Sequence, residues 1–103
     1  MYRQGDVLII PVTEVPGGLG PVARENGRIV LAHGEATGHA HAIVAEGAAL
    51  FRDPKLGAVF LTVTGEAAAV THDEHATIML PPGAYRVIRQ REYAPEEVRY
   101  VAD

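Results

Sequence analysis

Five histidines, His33, His39, His41, His72 and His75, lie in one stretch of a 103-residue chain, and four of them form two close pairs. His39 and His41 flank one alanine in GHAHAI. Side chains two apart on a strand leave the same face, with Cα atoms at most about 7 Å apart, so both imidazoles can reach one metal ion. His72 and His75 bracket Asp73-Glu74. On a helix, positions i and i+3 share a face; on a β-turn the two rings flank the tip and also converge. Two close pairs separated by a long stretch of chain form the pattern of a three- or four-ligand zinc site. Imidazole also suits nickel, copper and ferrous iron, so the expected cofactor is a divalent metal, zinc first. Four protein ligands would close the site and make it structural; three with a water would leave it open.

Carboxylates lie near both pairs. Glu46, Asp73 and Glu74 are candidates for a fourth ligand, for a partner that orients an imidazole, or for a base acting on metal-bound water. Glu46 and Glu74 are the catalytic candidates if the site is open. Each also reads as an ordinary surface carboxylate, the HAH pair as a polar strand face, and HDEH as a solvated turn. His33 reads as a strand-end residue and not as a ligand.

The elements that must carry these residues are strands. Val7 to Val12 is an apolar, β-branched run, ended by Pro11 and Thr13-Glu14. VPGGLGP, residues 15–21, is a loop, and residues 14–26 form the one long connection. Asn26-Gly27 predicts a tight turn into a strand over Arg28 to Ala32. From residue 39 the chain alternates, with His39, His41, Ile43 and Ala45 on one face. Ala48 to Arg52 and Ala58 to Thr64 are strands about the Asp53–Gly57 turn, with Gly65-Glu66 as a hairpin turn. EAAAVTHDEH, residues 66–75, has helix-forming alanines but strand-forming Val70 and Thr71, and regular strand spacing favours a strand. Thr77 to Leu80 and Ala84 to Gln90 flank the Pro81-Pro82-Gly83 turn. Ala94-Pro95-Glu96-Glu97 predicts a short C-terminal helical turn. Seven to nine short strands without an amphipathic helix imply an all-β domain spanning 1–103, a small barrel or a two-sheet sandwich.

Composition narrows the function. There is no cysteine, which excludes disulfides, zinc-thiolate sites and thiol nucleophiles. No serine is present, so no serine nucleophile is either. PGGLGP lacks the lysine and following helix of a phosphate loop. The net charge of −4 argues against a nucleic-acid partner. YRVIRQREY, residues 85–93, interleaves arginine and tyrosine, and is read as a half-exposed strand whose arginines meet carboxylates or a second subunit. No apolar run approaches the roughly 18 residues of a membrane span, and the start MYRQGDVLIIPV lacks the pattern of a signal peptide. A cytoplasmic homo-oligomer is the expectation.

GEATGHAHAIVAEG, residues 34–47, partly resembles the first motif of the cupins, small metal-binding β-barrels: a glycine, HxH, a glutamate shortly after, then a glycine. The resemblance implies a cupin-like barrel and places His39, His41 and Glu46 at ligand positions. The second cupin motif sets a histidine shortly after a PxG turn; here none follows Pro81-Pro82-Gly83, and His72 and His75 precede it. Over a longer span the chain is similar to a group of short bacterial and phage proteins without an established activity. They share RQGDVLIIPV, GHAHAI, HDEHA and LPPGAYRVIRQREY segments. The reading is therefore a divalent-metal-binding β protein with His39, His41, His72 and His75 as ligands and the metal in a structural role. The alternatives are a metal-independent oligomeric interaction module and, third, a cupin-like metalloenzyme; whether the protein is an enzyme stays open.

Overall fold

A computed structural model describes residues 1–34 and 39–90. These form ten strands in chain order: β1 (Tyr2–Gln4), β2 (Val7–Val12), β3 (Gly20–Pro21), β4 (Ile29–His33), β5 (Ala40–Ile43), β6 (Ala48–Arg52), β7 (Val59–Val63), β8 (Ala68–Thr71), β9 (Ile78–Leu80) and β10 (Gly83–Arg89). All named pairings are antiparallel. The larger sheet has the order β1-β2-β10-β7-β6-β3 and the smaller β4-β5-β8-β9. The architecture is a two-sheet sandwich, and neither sheet closes into a barrel, so the cupin-like barrel alternative is set aside. Among the described residues there is no helix. The expected turn at Ala94–Glu97 lies outside them.

Alternation builds the core. Val7 and Ile9 of β2, Tyr85 and Val87 of β10, Leu61 and Val63 of β7 and Ala48 and Leu50 of β6 are buried. Their pairing is in register: Leu61 lies opposite Tyr85 and Leu50, and Val63 opposite Ala48. Across the sandwich Ile29, Ile43, Ala68, Val70 and Leu80 complete the same apolar cluster. Side chains of period two from both inner faces thus meet in one layer.

Pro11 and Gly65-Glu66 differ from the sequence expectation. Pro11 sits inside β2 and does not end it. Its missing N–H costs nothing there, because β1 pairs with β2 as far as Ile9 and no further. Gly65-Glu66 is not a hairpin turn. β7 pairs with β6 and β10, whereas β8 pairs with β5 and β9, so this segment carries the chain from one sheet to the other. The Asn26-Gly27 turn is confirmed, with φ of 54° and 81° between the bridged Glu25 and Arg28, the left-handed pair of a type I′ turn. Residues 66–75 divide into strand β8 followed by a turn.

Candidate metal centre

The histidines collect at one end of the sandwich because strand parity puts them there. Ile43 and Val70 face the core and are register partners. Counting by two along β5 turns His41 and then His39 the same way, and counting on from Val70 turns His72 inward. His75 follows in the turn before β9. The rings meet: centroid separations are 4.3 Å for His41–His72, 4.7 Å for His72–His75, 5.8 Å for His39–His72 and 6.0 Å for His41–His75. All four predicted ligands therefore stand in one cluster, although its members come from positions far apart in the chain.

A β-bulge makes room for it. Regular pairing from Ile29–Ile43 and Val30–Ala42 would set Leu31 opposite His41. The register slips at this point and places Ala32 there instead. A methyl group, not a branched chain, then faces the buried imidazole.

His41 is the anchor, 2 % exposed. Its Nδ1 is 2.8 Å from Gln4 Oε1. The Gln4 amide nitrogen donates to two carbonyls, Val70 O and Ala76 O, each at 2.9 Å. With both amide hydrogens committed, Oε1 is left as an acceptor, so Nδ1 of His41 carries the proton. Its Nε2 then carries the lone pair. A neighbour that fixes the tautomer in this way is the usual companion of a metal-binding imidazole. Burial, joined by the neighbouring His72, pulls the His41 pKa down to about 4 from its usual 6.5. The ring is thus neutral at physiological pH, as a ligand must be.

The turn between β1 and β2 forms another wall. Gly5 has φ +60°, and a Cβ placed on it would lie 2.7 Å from His75 Nε2 and 3.3 Å from His41 Cε1. Glycine is needed there for both conformation and space. Asp6 follows, with Oδ1 3.6 Å from His41 Nε2 and Oδ2 accepting from Arg89 Nε at 3.1 Å. Burial alone would raise the Asp6 pKa, but the Arg89 hydrogen bond and charge outweigh it and hold the carboxyl below its usual value.

The remaining acids divide. Glu74 Oε1 lies 3.6 Å from His39 Nδ1 and Asp73 Oδ2 3.9 Å from His39 Nε2, so both border the cluster on its solvent side. The Glu74 backbone N–H donates to His72 Nδ1 at 3.0 Å. Glu46 lies exposed in the turn beyond the far end of β5. His33 ends β4, is exposed, and pairs with Glu25 at 3.3 Å. Among the described residues no group of three or more His, Asp or Glu side chains is already disposed to hold a metal ion. The rings converge, but His72 has its Nδ1 lone pair committed to the Glu74 N–H. That bond must be given up, through a ring turn or a change of tautomer, before His72 can ligate.

Arg89 also donates to His33 O at 2.6 Å, so this arginine meets acceptors of its own chain. Arg91 and Tyr93 lie outside the described residues. An open groove of about 700 Å³ lies elsewhere, bordered by residues 16–19, the β6–β7 turn and β10, and none of the four clustered histidines lines it. Sequence reasoning missed Gln4 and Asp6. Their signal was weak: a polar residue at an inward position of a short strand, and an acid beside a turn glycine.

The model of a domain of unknown function, DUF8820, matches residues 3–90. No curated protein and no solved structure matches the chain.

Proposed function

The chain belongs to the DUF8820 domain family, and we propose that its role at this site is to bind one divalent metal ion, zinc first, through His39, His41, His72 and His75. One observation carries the reading. Four imidazoles stand together, with ring centroids 4.3–6.0 Å apart, and the tautomer of the buried one is set by Gln4. The ion would join β5 and the residue before it to the turn after β8, segments remote in sequence. Its binding energy then adds to folding, as expected of a structural site. The cytoplasm and a homo-oligomeric state belong to the same proposal as its setting. No described helix is long and apolar enough to cross a membrane.

Metal content per chain, measured by mass spectrometry on tag-free protein purified without chelator, tests the reading. One ion per chain is the expected result, and half an ion would place the site between two chains. Protein that holds no metal and takes up none on titration with zinc, ferrous iron or nickel refutes it.

A further inference from the structure

We propose that the open groove on the outer face of the larger sheet binds a small organic anion, an oxyanion head on an apolar body, and that Arg86 takes the head. The inference stands apart from the metal-binding reading, since none of the four clustered histidines lines this groove.

Strand parity makes the floor. Tyr85 and Val87 of β10 are buried in the core, so Arg86 and Ile88 leave the opposite face of the sheet. The register partners of Arg86 are Ile10 on β2 and Phe60 on β7, and Phe60 is paired in turn with Phe51 of β6. Arg86 is therefore the one charged side chain in a row of apolar ones that crosses four strands. Residues 16–19, on the way from β2 to the edge strand β3, and the β6–β7 turn stand beside this floor and border a groove of about 700 Å³. Small-molecule sites run from roughly 300 to 1,000 Å³.

Charge sets the class of guest. The chain is acidic overall, at −4, yet the groove is lined by Lys55, Arg86 and Arg89 against a single acid, Asp53. Arg89 is engaged by Asp6 and by the His33 carbonyl. Asp53 is engaged as well, its Oδ1 accepting the backbone N–H groups of Lys55 and Leu56. The Arg86 guanidinium and the Lys55 ammonium have no hydrogen bond or ion pair among the described residues. They are the two cations left for a guest.

The apolar floor sets the rest of the guest. Water solvates an exposed guanidinium, but it leaves Ile88 and Leu56 uncovered, and Leu56 is 86 % exposed. A guest with an anionic head and an apolar body satisfies both. The planar fork of arginine meets a carboxylate or phosphate through two parallel N–H bonds, and the body gains from apolar burial that an inorganic anion lacks.

Titration of the full chain followed by two-dimensional NMR tests the assignment, with 2-naphthoate, 2-naphthyl phosphate and the neutral 2-naphthamide as probes. The anions should shift the signals of Leu19, Leu56, Phe60 and Arg86 and leave those of Ile43 and Val70 in place. A Kd on the order of 1 mM is expected, the affinity that ordinary ligand efficiency gives a probe of about thirteen non-hydrogen atoms. The tighter of the two anions identifies the head group. 2-Naphthamide should bind at least about 10-fold more weakly, and Arg86→Gln should weaken the anions by a similar factor, as loss of a charge-assisted hydrogen bond does. Anions that leave the groove signals unmoved at about 10 mM overturn the proposal. An amide that binds as tightly as 2-naphthoate also overturns it, since the groove would then be apolar and nothing more. If Arg86→Gln does not fold, the comparison of anion with amide on wild-type protein decides alone.

Discussion

Replacing Gln4 with leucine should destabilise the metal-free protein by about 2 kcal/mol, and the structure supplies the arithmetic. Gln4 is 2 % exposed and makes three hydrogen bonds, to His41 Nδ1, Val70 O and Ala76 O. Leucine is of similar size, so no large cavity opens. The partners are not equal. Ala76 lies on the exposed turn and regains water at little cost. Val70 O and the His41 nitrogen stay buried, and each unsatisfied group costs about 1–3 kcal/mol. The sum, about 2–6 kcal/mol, is offset by leucine's extra apolar burial of about 1.5–3 kcal/mol. At about 4–8 °C per kcal/mol for a domain of this size, the Tm should fall by about 8–16 °C. The assay is urea and thermal unfolding followed by circular dichroism, with chelator present so that no metal contributes. Gln4→Glu gives an independent check. The introduced carboxylate faces the Val70 and Ala76 carbonyls as a third acceptor, so this variant should also be destabilised at neutral pH and recover in part on acidification. A Gln4→Leu protein within about 0.5 kcal/mol of wild type, the range of ordinary surface changes, would show that the network does not hold the tautomer.

In the metal-free protein, stability should fall as pH drops. His41 titrates at about 4 when folded and near 6.5 when unfolded. The unfolded chain therefore takes up the proton first, and up to about 3 kcal/mol is lost between those two values. Asp6, with its pKa lowered by Arg89 against the opposing effect of burial, loses its contribution as pH falls through its ordinary value of 3.8 and below. Denaturant unfolding at stepped pH checks both signs, and stability that stays flat from pH 7 to pH 4 contradicts the first. Gly47→Ala should cost about 1–3 kcal/mol as an overpacked site, because the new methyl would run into the Thr64 carbonyl, whose residue also bonds back to Gly47 O; a melt within 2 °C of wild type, about a quarter to a half of a kcal/mol, would contradict it. Arg24 donates to the carbonyls of Gly27, Val44, Ala45 and Ala48. Arg24→Lys should therefore behave much like Arg24→Ala in unfolding experiments, since an ammonium cannot span that fork. Full retention of stability by the lysine variant would show the fork to be dispensable.

The sandwich was largely legible because its strands alternate. Val7–Val12, Ala48–Arg52 and the run about Val59–Val63 carry apolar, β-branched residues between strong turn signals, and they form the strands expected of them. Sheet membership was not legible. A glycine turn after β7 looks the same whether the next strand pairs back or crosses to the other sheet, because the difference lies in contacts remote in sequence. The four histidines were legible as two pairs, but their meeting depends on parity carried through β5 and β8 and on a bulge at Leu31 that no residue type announces. Gln4 and Asp6 were illegible for a similar reason. They lie 37 and 35 positions before His41, and it is the packing of the larger sheet against the smaller that brings Gln4 to His41, Val70 and Ala76.

That dependence bears on what the site can do. Its best-buried member, His41, is fixed by groups from β1, β8 and the turn before β9, while His75 lies exposed on that turn. A cluster that is rigid at the base and open at the rim can admit an ion from solvent, and His72, bonded to the Glu74 N–H, is the ring that must move when it does. Binding would then order the turn that carries His72 and His75 more than the strands beneath it. Amide hydrogen exchange should register this as protection gained mainly over residues 72–77, with β5 changed little. Equal protection of both would mean that the strands are not preformed and that the metal folds the whole end of the sandwich.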